Sequence, residues 1–105
     1  MTDITSLIDK SEFVIPLVGN KFFKNKPSKK DIDILLIPEP KNKYDPNAVA
    51  IYSRREDKLV QLGFIIKDKC RLVKEKLELF KSIKVIRSKT KNDENLYYYY
   101  LVIHV

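Results

Sequence analysis

Apolar residues along the chain fall mostly in short runs or strict alternation with polar ones, a pattern that predicts strands before anything else. Glu12 to Gly19 (Glu-Phe-Val-Ile-Pro-Leu-Val-Gly) reads as a first strand, and Pro16, which has no N–H to give a ladder, places it at an edge or a bulge. Ile32 to Ile37 reads as a second strand, stopped by Pro38 and Pro40. Ala48 to Ser53 and Leu59 to Ile66 form a hairpin around the charged loop Arg54 to Lys58, and Gly63 marks a bulge or a close backbone approach. The period then changes. Ile66, Cys70, Val73, Leu77 and Phe80 stand at i, i+4, i+7, i+11 and i+14, one face of a helix, with Asp68 as its expected N-cap. Ser82 to Ser88 and Leu96 to His104 close the chain as two more strands around a polar turn, Lys89 to Asn95. Six short strands with one amphipathic helix after the fourth predict a mainly β fold, a small, strongly twisted antiparallel β-barrel.

Length confines these elements to one domain: 105 residues supply one core and no second catalytic domain. Residues 12–105 are assigned to that domain and residues 1–11 to an N-terminal extension. With 44% apolar and 33% charged residues the chain is expected to fold alone, as a monomer. The single thiol, Cys70, sits on the apolar helix stripe, where it reads as an inert small hydrophobe, and a chain without a disulfide fits a reducing, intracellular compartment. Met1 to Lys10 carries Asp3 and Asp9 and lacks a basic segment followed by an apolar run, so no secretory signal is expected. The longest apolar stretch, Leu96 to Ile103, is far shorter than the roughly 18 residues that suggest a membrane span. No membrane association is expected.

Charge changes the picture. The net charge is +7, and Lys67 to Lys91 alone holds ten bases against three acids. A second cluster, Lys21, Lys24, Lys26, Lys29 and Lys30, precedes Asp31 with no acid among them. Two basic clusters on one small domain favour a polyanionic partner, nucleic acid above all, against the plainer reading of solvated lysine-rich faces.

Special chemistry is densest in Pro38-Glu39-Pro40-Lys41-Asn42-Lys43-Tyr44-Asp45-Pro46-Asn47-Ala48. Its prolines fix backbone angles, and Asn42, Asp45 and Asn47 are able to satisfy local backbone donors. A tyrosine held between an amide and a carboxylate suits a flat heterocycle with hydroxyls nearby, the ring stacking and the carboxylate accepting an O–H. Asp45 reads equally as a turn cap and as a ligand.

The chain here resembles the HIRAN domain family, found in DNA translocases of the helicase-like transcription factor type and as a stand-alone or fused module. The resemblance runs from Val14 to about Phe80. It rests on Val18-Gly19-Asn20-Lys21-Phe22-Phe23, on Glu39-Pro40-x-Asn42-x-Tyr44-Asp45-Pro46-Asn47-Ala48-Val49, and on Leu62-Gly63-Phe64-Ile65-Ile66-Lys67 leading into a helix. It implies an OB-like barrel that binds single-stranded DNA at a free 3′-hydroxyl, in DNA repair or replication-fork processing, beside a separate helicase or nuclease. By that resemblance Tyr44 and Phe22 flank the terminal base, Asp45 takes the 3′-hydroxyl, and Asn42, Lys21 and Lys67 hold sugar and phosphate. The sequence departs from the DNA-end binder in having Phe22 for a tyrosine, Lys41 for an asparagine and Phe64 for a histidine. Lys41 remains a candidate contact, its amide exchanged for a charge. Tyr97, at the start of the last strand, comes near the terminal base by the same resemblance, although strand alternation turns Tyr97 and Tyr99 to one side and Tyr98 and Tyr100 to the other, one pair toward the core.

An enzyme is not expected. Asp31, Asp33 and Glu39-Pro40-Lys41 have the outline of a metal-dependent nuclease, yet Pro38 and Pro40 interrupt the strand that such a site needs, and two glycines cannot build a phosphate-cradling loop. His104 has no second His or Cys for a metal, and no cofactor is implied. The rival reading is a protein-interaction module that docks an acidic partner through the barrel groove or the basic helix.

Overall fold

Side chains buried at every second position of most strands place one face of a sheet against the core in the computed structural model, which describes residues 12–105. The extension assigned to residues 1–11 lies outside the described residues. The strands are β1 (Glu12–Val18), β2 (Ile34–Pro38), β3 (Val49–Arg55), β4 (Lys58–Ile65), β5 (Ser82–Lys91) and β6 (Tyr97–His104). They form one six-stranded antiparallel sheet in the order β2-β3-β4-β1-β6-β5. Ile15 and Leu17 of β1, Val49 and Ile51 of β3, Val85 of β5 and Leu101 and Ile103 of β6 share one core. The one α-helix among the described residues, α1 (Cys70–Lys76), has seven residues and cannot cover six strands, so strands from across the sheet bury their inner faces against one another.

The sheet is not closed, which corrects the barrel expected from the strand pattern. β2 and β5, the pair that closure would join, are its two edges. The β1–β2 connection lies between them instead: Pro27, Ser28 and Lys29 face Val85, Ile86 and Arg87 of β5 across a cavity of about 440 Å³ that Tyr99 also lines. Asp31, 4% exposed, pins this connection. Its Oδ1 accepts from Ser53 Oγ and Arg55 Nε, both at 2.7 Å, and its Oδ2 accepts from Arg55 Nη2 at 2.7 Å and the Ser28 N–H at 2.9 Å. Arg55 Nη2 also donates to the Lys26 carbonyl at 2.8 Å. Chain that would otherwise free β2 to meet β5 is thus tied to the inner side of β3.

Other boundaries shift for local reasons. β1 lies inside the sheet and not at an edge, yet Pro16 is accommodated because it stands where the β1–β4 ladder has ended. β4 pairs only with Leu17 and Val18, and the Pro16 carbonyl accepts from Ile66 N–H just past the end of β4. The β3–β4 loop is shorter than its charges suggest, because Arg54 and Arg55 pair with Leu59 and Lys58 around a two-residue turn, Glu56-Asp57, with φ 48° and 68°. β2 starts at Ile34, since Asp31 holds the preceding chain away from the ladder. Gly63 shows both expected features: the β3–β4 register shifts beside it, and a Cβ there would stand 2.6 Å from the Val18 carbonyl oxygen.

The helical stripe is core, with Cys70 and Val73 buried and Ile66, Leu77 and Phe80 packed against them. Within this stripe Cys70–Lys76 is α-helical, between 3-10 turns at Lys67–Lys69 and Leu77–Leu79. Asp68 therefore lies inside the first turn and makes no cap bond, because the chain begins to wind at Lys67, where the Ile66 carbonyl accepts from Lys69 N–H at 2.9 Å. Burial pushes the Cys70 thiol up from its ordinary pKa, in keeping with an inert side chain.

The Asp31 cluster generates a stability prediction. Burial alone would raise its carboxyl pKa, but the Arg55 guanidinium, the Ser53 hydroxyl and the Ser28 N–H hold it below the ordinary 3.8. The folded state then binds fewer protons than the unfolded one, so the contribution is fully present above that value and is lost as pH falls through the folded pKa. Asp31→Asn should cost about 3 kcal/mol at neutral pH, at the low end for a broken buried pair because Arg55 reaches water. Urea unfolding at pH 7 and at about pH 3 checks both points: the variant should be the less acid-sensitive of the two proteins. Equal stability at neutral pH would show that the connection is held by something else.

Candidate nucleic-acid interface

β1 meets β4 at only two pairs, Leu17–Ile65 and Val18–Phe64, so the halves β2-β3-β4 and β1-β6-β5 of the sheet are staggered along the strands and overlap at one level. The β1–β2 and β5–β6 connections leave that level in one direction, past Val18 and past the Lys91–Tyr97 pair, while the β2–β3 loop, past the Pro38–Val49 pair, and the run from β4 into Lys67 leave it in the opposite direction. The stagger sets the starts of these four segments level with one another. Seven of the candidate residues, Lys21, Phe22, Lys41, Asn42, Tyr44, Asp45 and Lys67, lie on them, and Tyr97 stands at the start of β6.

The β2–β3 loop is locked from within. Asn42 Oδ1 accepts from the Tyr44 N–H at 2.9 Å and the Asp45 N–H at 3.0 Å, while its Nδ2 donates to Glu39 Oε1 at 3.0 Å. Asp45 Oδ1 accepts from the Asn47 N–H at 2.9 Å, so Asp45 is a turn cap, and its second oxygen takes no hydrogen bond among the described residues. The base of the loop closes where Glu39 N–H donates to the Ala48 carbonyl at 2.9 Å, and Lys74 of α1 ties Asn47 down from the side at 3.0 Å. Tyr44 projects from this frame 88% exposed, with Lys43 Nζ 5.7 Å from its ring. Asn42, assigned by resemblance to sugar and phosphate, has both ends of its amide engaged inside the loop.

Phe22 stands beside this loop's neighbour strand. Gly19 takes φ 74°, a left-handed conformation that turns the chain out of β1 into a short 3-10 turn, Asn20–Phe22. That turn leaves the Phe22 ring 77% exposed, while Phe23 packs on Phe64 with ring centroids 5.8 Å apart. Phe64 thus serves as a floor for the turn. Lys21 lies over Phe22 at 5.4 Å and meets Glu94 at 3.5 Å, an exposed pair that a phosphate could displace at little cost. Lys41 and Lys67 are exposed.

Tyr97 is placed differently from the other rings. It is half-buried and already covered, with Arg87 Cζ 4.0 Å and Lys91 Nζ 5.0 Å from its centroid. The two cations share a cavity of about 270 Å³ with Lys26 and Asn20. Charge counting placed Arg87 and Lys91 in a diffuse basic segment; the cross-strand register, Lys91 opposite Tyr97, is the signal that would have singled them out. Of the nuclease outline, Asp31 is consumed by Arg55, and no cluster of three or more potential metal ligands occurs among the described residues.

Comparison with known proteins agrees with this architecture. The crystal structure of the HIRAN domain of human HLTF superposes with a TM-score of 0.61, covering 89% of this chain and 74% of that one, at 16% sequence identity. Likeness at that identity speaks for the fold. No curated protein sequence matches the chain. The profile of the HIRAN domain, however, matches residues 10–102, nearly its whole length, and on that ground the chain belongs to the HIRAN domain family.

Proposed function

We propose that this HIRAN domain is a non-catalytic module that binds single-stranded DNA at its 3′-hydroxyl end, in DNA repair or replication-fork processing. The observation that carries the reading is Tyr44, an almost fully exposed ring on a loop whose backbone is already fixed by Asn42. A ring kept in water by a rigid frame costs little ordering when a base stacks on it. Phe22 offers a second exposed face, and Lys21, Lys41 and Lys67 supply the positive surround that a phosphodiester needs. Asp45 stands next to the ring with one carboxylate oxygen left over from capping, suited to an O–H donor and hostile to a terminal phosphate.

Stacking at Tyr44 should be worth about 1 to 3 kcal/mol, the usual range for one base on one ring. Fluorescence anisotropy with a short labelled oligonucleotide should show Tyr44→Ala weakened by that amount at an unchanged melting temperature. Unchanged affinity in the folded variant would move the groove elsewhere.

End selectivity is tested at Asp45. Asp45→Asn keeps the acceptor that caps Asn47 and removes the charge. It should lose part of a charge-assisted hydrogen bond to the 3′-hydroxyl, roughly 1.5 to 3 kcal/mol, and at the same time relieve repulsion of a 3′-phosphate. The preference between 3′-hydroxyl and 3′-phosphate oligonucleotides should therefore shrink from both sides. A preference that stays the same while stability falls would make Asp45 a cap alone and bring forward the rival reading, a module docking an acidic protein.

A further inference from the structure

The β5–β6 ladder contains an irregularity with a chemical result. Arg87 pairs with Tyr99 and Lys91 with Tyr97, so four residues of β5 span only two of β6. In a regular strand Arg87 and Lys91 would be about 13 Å apart and out of reach of one ring. Ser88 staples the distortion, its Oγ accepting from the Tyr98 N–H at 3.0 Å and donating to the Thr90 carbonyl at 2.7 Å. Both cations are thereby brought over Tyr97, at 4.0 and 5.0 Å. Bulges of this kind are common where a strand must re-aim a side chain toward a ligand.

Lys26, from the pinned β1–β2 connection, lines the same cavity, together with Asn20 and Asn95. None of Lys26, Arg87 and Lys91 has a carboxylate partner among the described residues, the nearby Glu94 being engaged by Lys21. A π face holds a cation in place without cancelling its charge, whereas a carboxylate would cancel it. Three positioned, uncompensated cations around a polar cavity form a site for an anion. The covered Tyr97 ring is a holder of cations here and not a platform for a base.

Asn20 begins the turn that carries Phe22, so this cavity continues from Phe22 on the side of the β1–β2 and β5–β6 connections, away from the Tyr44 loop and toward β5. We propose that Lys26, Arg87 and Lys91, gathered on Tyr97, form a second subsite that holds an internucleotide phosphate of the bound strand, upstream of the terminal nucleotides. This inference rests on the single-strand reading above and extends it from an end site to a track. Affinity should therefore grow with strand length beyond the terminal unit, while end selectivity should not depend on this subsite.

The test uses the full chain and thymidine oligonucleotides, a trinucleotide and one of about ten nucleotides, each with a 3′-hydroxyl or a 3′-phosphate. The double variant Arg87→Gln/Lys91→Gln should bind the longer strand about tenfold more weakly and lose most of the gain from trinucleotide to longer strand. Its slope of log affinity against log salt should be shallower by about 0.7 for each phosphate contact given up. Its hydroxyl-to-phosphate ratio should match wild type. Lys26→Gln, on a different element, should act in the same direction and stands in if the double variant does not fold. If Tyr44→Ala weakens binding while these variants leave the length dependence intact, the subsite is wrong and the end site stands. A changed hydroxyl-to-phosphate ratio would place the cluster at the terminus and overturn the track. Displacement of the longer strand by polyglutamate as effective as by unlabelled oligonucleotide would make the cavity a general anion surface, and failure of wild type to bind any single strand would remove both readings.

Discussion

The carboxylate of Asp31 is the point on which the arrangement depends. It takes four hydrogen bonds from Ser28, Ser53 and Arg55 in a nearly water-free position, and through them fastens the β1–β2 connection across the space between the two sheet edges. An acid buried without such partners would destabilise the fold; with them it converts a long polar connection into a fixed element. The consequences reach the surface. The sheet stays open, the turn bearing Lys21 and Phe22 leaves β1 from a connection anchored at its far end, and Lys26, whose carbonyl Arg55 holds, is brought to the wall of the Tyr97 cavity. One ion pair on the inner side of the sheet thus sets geometry at the connection that carries Lys21, Phe22 and Lys26.

Much of this was legible in the sequence because two signals are local. Alternation located all six strands, and the i, i+4, i+7 stripe located the buried face of α1 down to Cys70 and Val73. The β2–β3 loop announced itself by composition, its Asn and Asp residues making the backbone bonds that such residues make in turns. What was not legible depends on partners distant in sequence. Closure of the barrel turns on whether β2 meets β5, and nothing in either strand reveals that Asp31 will bond Arg55 instead, 24 positions away. Asp68 missed its cap for a subtler reason: the chain enters the helix through a 3-10 turn, which moves the first turn by three residues.

The aromatic residues show the same division. From sequence, Tyr44 reads as a surface for a base, the family resemblance adds Phe22, and Tyr97 is a contact by the same resemblance with core packing set against it. Their surroundings separate them. Tyr44 and Phe22 are held out in water, each with one lysine over its ring and most of its surface exposed, so room remains for an incoming base. Tyr97 is half-buried beneath a guanidinium at 4.0 Å, so its face is spent. The difference lies in strand register, since a two-for-four mismatch between β6 and β5 was needed to bring Arg87 and Lys91 together, and no periodicity predicts a mismatch.

Charge alone would make this domain a non-selective binder. A net charge of +7 attracts any polyanion, and counterion release rewards each phosphate equally whatever its place in the strand. Selection requires a group that gains from one terminus and loses from another, and in a basic domain only a carboxylate does both. Under the end recognition proposed above, Asp45 is the carboxylate that would act so. One oxygen is committed to the Asn47 N–H, which restrains the group, and Asn42 fixes the backbone on which it stands. Its orientation is settled before any ligand arrives, so little binding energy goes into arranging it. A free-swinging acid in the same basic surround would turn toward the nearest lysine and be neutralised; the cap prevents this by using the carboxylate as part of the loop. The bond that makes Asp45 look merely structural is therefore also what would let it discriminate.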